Sequence, residues 1–360
     1  MKSDLLVSIC SPAMLAIIGS ELPVNQSRTD SRLGEFRFDA DPIANATMFL
    51  TRQLEYVRSK VVDVKYAPLK ILEYIPLATD VPADVDSYVF FVYDSTGKAV
   101  IVQPDTKQLP RVETNAKELG GRVVSLGESY GWTLTELRQA ARLNVPLTEK
   151  KAAAARRAMN ASIDELCSFG YLGVSPKGPK QTGEVGGFVN NALITPAKAS
   201  DNWLSVGTPV DPLKISAAIN AATGFVFSNT KQIWTVDTWL MATSLYTKIA
   251  TTPMVLGTTA LNVTVLEYIM SNNPWIKNAE PWWRLDGAGT DGSTYSGYHR
   301  NIFYKRDPEV LEAVVPIDFE QMPAEQKALQ FEVACHARCG GVKVYQPGAI
   351  FYLDVNNSTT

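Results

Sequence analysis

Histidine and cysteine are scarce in this chain, with two and four among 360 residues. Four cysteines cannot staple a chain of this length into a disulfide framework, so thiols in a reducing compartment are the expectation. Long apolar runs are missing too. None reaches the roughly 18 residues that a membrane-spanning helix needs. Residues 5–18 have the apolar character of a signal-peptide core, but Asp4 close to Lys2, Pro12 in the middle and a poor small-residue site around Ser20 count against one. The chain also lacks a surplus of basic charge. A net charge of -3 argues against a dedicated nucleic-acid binder, though a surface that merely lies beside DNA is compatible with it. No internal repeat and no low-complexity tract occurs.

What is present is a folded-protein composition, 46% hydrophobic and 20% charged, long enough for two or three subdomains. Its most organised stretch is residues 148–170, TEKKAAAARRAMNASIDELCSFG. Ala152, Ala155, Met159, Ile163 and Leu166 recur there at helical spacing and form one apolar stripe. Thr148 can cap the first turn, and Gly170 stands where a left-handed C-terminal cap is wanted. The result is a slim rod of roughly 33 Å, a spine on which strands can be laid.

Residues 19–46 hold no sustained apolar period and are expected to be an extended arm. Ordering each of its residues costs about 1–2 kcal/mol, which contacts with neighbours would have to offset. From Thr47, the spacing of Leu50, Leu54, Val57, Val61 and Val64 predicts a helix. Residues 69–77 are expected to be a strand. Residues 87–93 and 99–102 are expected to pair across a hairpin turn at 94–98. After polar chain, Gly120 and Gly121 introduce a strand over 122–126, and Thr133 with Glu136 opens a helix as a capping box. Glycines and prolines between 176 and 187 mark a loop. Helices are expected over 211–223, 237–250 and 264–272, and strands over 232–236, 298–304, 331–339 and 342–355. Residues 323–329 are expected to be a polar connection. Helices and strands mix without βαβ alternation, so the class is α+β.

Three motifs carry possible chemistry. Residues 127–131, GESYG, match the G-x-S-x-G nucleophile elbow, with Ser129 as nucleophile and Asp286 or Asp307 with His299 or His336 as partners. The next helix has its own cap at Thr133 and no oxyanion stretch precedes, so a plain turn is the competing reading. Residues 287–292 satisfy G-x-G-x-x-G by letter but lead into a Ser/Tyr/Gly loop rather than a helix, so a flexible loop is expected. Asp286 and Asp291 lack the spacing of a calcium loop. Cys335, His336 and Cys339 suggest zinc. On a strand, however, the two cysteines share one face about 13 Å apart and the histidine points to the other, so buried thiols are expected. No catalytic residue, metal or cofactor is assigned. Lys150, Lys151, Arg156 and Arg157 charge the first half of the spine, which suits either a solvated face or an acidic neighbour.

Several segments in order resemble a tailed-phage major capsid protein of the Hong Kong 97-type fold. They are FLTRQLEYVRSKVVDVKYAPLKILEYIPL (49–77), SYVFFVYDSTGKA (87–99), GESYGWTLTELRQAARLNVPLTEKKAAAARRAMN (127–160), GFVNNALITP (187–196) and ARCGGVKVYQPGAIFYLD (337–354). The resemblance implies an N-terminal arm (1–50), the start of a peripheral domain (51–80) and an extended loop (81–129). It further implies a peripheral domain (130–195) with its spine at 148–169, an axial domain (196–329) and closing peripheral strands with the C-terminus (330–360). It implies a structural shell subunit in the virion, made in the bacterial cytoplasm. Copies would meet in hexamers and pentamers around double-stranded DNA, with a portal, a separate scaffold and in some cases a decoration protein as partners. Asp94, Lys98, Lys107, Arg111, Lys150, Lys151, Arg156 and Arg157 are the candidate inter-subunit contacts. Nothing in the sequence pairs Lys98 or Lys107 with Asn356 or Asn357, so no crosslink is expected. The alternatives are a serine hydrolase using Ser129 and, were the N-terminus a signal, a secreted cell-surface assembly protein.

Overall fold

Residues 238–241 and 302–304 are apolar on nearly every position, and such runs must be covered on both faces. They form the middle of a six-stranded sheet in the computed structural model, which describes residues 65–97, 99, 111–143, 147–171, 185–205, 211–256, 259–290 and 295–356. The expected arm at 1–50, the helix expected over 47–64 and residues 176–184 of the expected loop lie outside the described residues. In the sheet, Tyr295–Tyr304 lies antiparallel between Ile350–Asn356 and Thr238–Met241. Ala197–Lys198 and Asn278–Pro281 extend it in parallel at either side. Trp239, Leu240, Ile302, Phe303 and Tyr304 are wholly enclosed, in one core with Ile215, Ile219, Leu245 and Ile269 from three helices.

Those helices start where capping chemistry permits. Asp211 accepts from the Leu213 amide, with Pro212 as first residue, to open Pro212–Asn229. Thr264 accepts from the Glu267 amide at 3.3 Å to open Val265–Asn272. The helix expected over 237–250 is instead a buried strand followed by the helix Thr243–Thr251. A distant carboxylate sets its start: Asp286 accepts from the Thr243 amide at 3.3 Å and the Ser244 hydroxyl at 2.9 Å. The strand expected at 232–236 is absent. Pro212–Asn229 runs further than its period suggested and closes in a turn with Lys231 and Gln232 at φ 51 and 70, joined by Ile233 N–H to the Thr230 carbonyl.

A second layer is the ribbon Val124–Thr133 with Gln330–Cys339, in register from Val124 opposite Cys339 to Thr133 opposite Gln330. Ile317–Gln321 and Glu325–Lys327, the latter inside the expected connection, pair with the other edge of Gln330–Cys339. The spine helix, Leu147–Phe169, packs on this ribbon and buries Ala155, Met159, Ile163 and Leu166 as its stripe predicts. Gly170 takes φ 74 and returns its amide to the Leu166 carbonyl, ending the helix. Thr148 lies within the helix rather than ahead of it.

The strand expected over 69–77 is a short helix, Ile71–Tyr74, then the strand Leu77–Ala78. Ile71, Tyr74 and Ile75 are the buried set, and that is a helical spacing. The buried carboxylate of Asp164 on the spine accepts from the Ile71 amide at 3.2 Å and fixes the turn. The run expected over 342–355 divides at the turn Pro347–Ala349. Gly341–Val344 joins Leu311–Val314 in a three-stranded sheet with Leu77–Ala78, while Ile350–Asn356 joins the six-stranded one.

Candidate assembly surface

Ser87–Thr96 pairs antiparallel with Glu113–Arg122, from Ser87 opposite Arg122 to Thr96 opposite Glu113. The expected hairpin is therefore wrong in its partner. Asp94 to Thr96 are strand rather than turn, and the return strand is the polar stretch beginning at Glu113. Gly121 sits inside that strand, where a Cβ would meet the Tyr88 ring at 2.5 Å.

The two faces of Ser87–Thr96 have different fates. On one, Tyr88 packs beside Val123 and Val314, and Phe90 meets Tyr345 edge-on at 4.9 Å under the Lys343 ammonium at 5.0 Å. Lys343 also donates to the Gly120 carbonyl at 2.9 Å, and its burial pushes its pKa down. Burial, with hydrogen bonding to Glu312, pushes the Tyr345 phenol up. The other face carries Val89, Phe91 and Tyr93, exposed by 51%, 57% and 69%. A two-stranded ribbon is marginal alone in water, and this one leaves an aromatic face open.

The candidate contacts are dispersed. Asp94 is exposed in the strand opposite Asn115, and Arg111 is exposed just before the return strand. Lys98 and Lys107 lie outside the described residues. On the spine, Lys150, Arg156 and Arg157 are exposed and Lys151 is half-buried. Lys151 donates to the Gly131 carbonyl at 2.7 Å and to Glu136 at 2.9 Å, which lowers the pKa of Glu136. The Arg156 guanidinium lies 5.8 Å from the centroid of Phe319.

The elbow motif is not an elbow. Ser129 lies in the middle of Val124–Thr133, opposite Ala334. Gly131 serves close approach, since a Cβ there would stand 2.6 Å from the Phe331 carbonyl oxygen. The cleft beside Ser129 is lined by Trp132, Thr133, Glu136, Lys327, Phe331 and Glu332, with no histidine among the described residues. Glu332 has its pKa lowered by hydrogen bonds from Lys327 and Ser129. On Gln330–Cys339, Cys335 and Cys339 are buried on one face as their parity predicts, with His336 on the other. Among the described residues no three histidine, cysteine or acidic side chains converge as a metal site.

Asp286 has a structural task besides capping: it lies 3.4 Å from Nδ1 of the buried His299. Nδ1 accepts from the Gly287 amide at 3.2 Å, so the neutral ring carries its proton on Nε2, toward Ser244 at 3.3 Å. Burial pushes the His299 pKa below 6.5, with Asp286 opposing. Below 6.5 the unfolded chain therefore binds this proton before the folded chain does. The stability contribution is present above that pH and is lost as pH falls toward the lower folded value. The thermal midpoint should fall between about pH 7 and pH 5.5, and less steeply in His299→Gln. Equal slopes in the two proteins would refute the assignment.

The model of the family described as "Major capsid protein" matches residues 97–355. No curated protein matches the chain. Among solved structures, the capsid of Myoviridae phage XM1 is similar at 18% identity and a TM-score of 0.72, covering 84% of this chain and 97% of that one. A chain from Mycobacterium phage Bobi is 14% identical with a TM-score of 0.56, covering 89% and 100%. The capsid of a native GTA particle is 10% identical with a TM-score of 0.55, covering 88% and 99%.

Proposed function

The chain belongs to the major capsid protein family, and from that membership we propose that copies of it meet in hexamers and pentamers to close an icosahedral or prolate shell around phage DNA. The observation that carries the mode of assembly is the ribbon of Ser87–Thr96 with Glu113–Arg122, whose outer face leaves Val89, Phe91 and Tyr93 exposed among the described residues. A neighbouring copy is the occupant consistent with a shell subunit. Asp94, Lys98, Lys107 and Arg111, with the spine cations Lys150, Lys151, Arg156 and Arg157, are the proposed inter-subunit contacts that would set register.

The proposed division is an arm at 1–50, an extended loop at 81–129, a peripheral domain around the spine and an axial domain from about 196, with closing strands from 330. A portal, a separate scaffold and a decoration protein are the proposed partners. The inner surface would lie along DNA without reading its sequence, in keeping with the net charge of -3. Family membership argues against an enzymatic role, and Ser129 sits in a strand ladder without a partner histidine in its cleft.

Electron microscopy of the purified full chain tests the reading. Closed shells, or rings of six and five copies, are the expected result. A protein that stays monomeric at high concentration, with and without crowding agents, would contradict it.

A further inference from the structure

Cys167 and Cys339 are 172 positions apart in sequence, yet their Sγ atoms stand 3.6 Å from each other. Both side chains are fully enclosed, and the assembly surface uses neither. The backbone is fastened on both sides of the pair. Cys167 belongs to the last turn of the spine, where its carbonyl accepts from the Phe188 amide at 2.9 Å and that of Ser168 accepts from Val189 at 2.8 Å. Cys339 ends the strand Gln330–Cys339. Beyond it, Gly340 donates to Val314 at 2.7 Å and Val342 to Gly186 at 2.9 Å. The segment 186–189 thus ties both strands of chain in place, and the two sulfurs start 3.6 Å apart. A disulfide requires an S–S distance of about 2.05 Å.

The two thiols are also unlike. Cys339 lies in hydrogen-bond contact with Cys167 and accepts from the Gly341 amide at 3.4 Å, and these hold its pKa down against burial. The contact with Cys339, with burial, pushes Cys167 well up. One sulfur is prepared as a nucleophile and the other as its resolving partner.

We propose that Cys167 and Cys339 are a redox staple, open as two thiols in the reducing cytoplasm and closed by a hydroperoxide once the particle is outside the cell. In the first step the Cys339 thiolate attacks the peroxide, an S–O bond forms, the O–O bond breaks and hydroxide leaves. Cys167 then gives its proton to that hydroxide, forming water, and attacks the sulfenic sulfur; the S–S bond forms, the S–O bond breaks, and the second hydroxide leaves as water by taking the proton that Cys339 released on ionising. Two electrons pass from the sulfurs to the peroxide, and two thiols plus hydrogen peroxide become one disulfide plus two waters. A water-sized oxidant reaches such a site through brief local openings that exclude bulky reagents. The closed staple would join the end of the spine to the ribbon it packs on. Cys335, four residues earlier on the same strand, lies outside this pair.

The test is to treat the purified full-length chain with hydrogen peroxide, unfold and alkylate it, and digest it without reductant for mass spectrometry. A linked peptide pair containing Cys167 and Cys339 is expected, with two of the four thiols lost from titration. The thermal midpoint should rise by about 5 °C and return on adding dithiothreitol. Cys167→Ala and Cys339→Ala should each abolish that rise, and the wild-type peptide result stands whether or not the variants fold. Recovery of both peptides unlinked, whether unmodified or sulfinic, overturns the proposal. So does a disulfide joining either cysteine to Cys10 or Cys335.

Discussion

Alanine at Asp354 is expected to lower the stability of the unassembled protomer by about 3–5 kcal/mol, because it strands a buried cation. Asp354 and Arg300 are direct partners on adjacent strands of the six-stranded sheet, and both are essentially without solvent. Arg300 donates through Nε at 2.8 Å and through a terminal nitrogen at 2.7 Å, one bond to each carboxylate oxygen. Its other terminal nitrogen reaches the Val189 carbonyl at 2.6 Å, and the guanidinium lies 4.7 Å from the centroid of Tyr352. The pair therefore ties the sheet to residues 185–205, and alanine removes both acceptors from a charge that water cannot reach. Arg338 with Asp86 is the contrasting case. The Asp86 side chain is 90% exposed, so Asp86→Ala should cost at most about 1 kcal/mol. Urea unfolding of both variants decides the matter, and similar small losses would show that burial does not set the strength of the Arg300 pair.

What was legible in the sequence is what acts over a few residues. The spine showed itself through its stripe and Gly170, and the capping box was visible in Thr133 and Glu136, whose amide–hydroxyl bond is 3.2 Å. Strand parity placed Cys335 and Cys339 on one face. What was illegible is decided at long range. Glu113–Arg122, ETNAKELGGR, has little strand propensity and is held by the aromatic strand opposite, so nothing local marked it. Residues 71–75 have a helical burial set too short to prevail over their strand-like composition, and the spine carboxylate that fixes the turn is 93 positions away. Arg300 and Asp354 went unmarked, because their pairing follows from strand order, which no period encodes. The elbow motif failed for a related reason. Its glycines suit a tight turn equally well by letter, whereas Gly131 is there for the Phe331 carbonyl.

Serine at Val89, Phe91 and Tyr93 together should stop shell closure while leaving a folded protomer. These side chains share one face of Ser87–Thr96, each more than half exposed, and none belongs to the core. Full burial of an apolar side chain of this size is worth about 1.5–3 kcal/mol, so three half-buried by a neighbour would contribute a few kcal/mol at every contact. Each 1.4 kcal/mol is roughly a factor of ten in association, and the loss recurs wherever one subunit meets the next. The protomer loses little, because Tyr88 and Phe90 keep the ribbon's packed face against Val123 and Tyr345. The triple variant should therefore match the parent in circular dichroism and thermal midpoint, sediment as small species and show no closed particles by electron microscopy. Phe90→Ser is the internal control, since it should lower the protomer's midpoint by breaking the contacts with Tyr345 and Lys343. Normal particles from the triple variant would mean that the open face of the ribbon is not what subunits bury against one another.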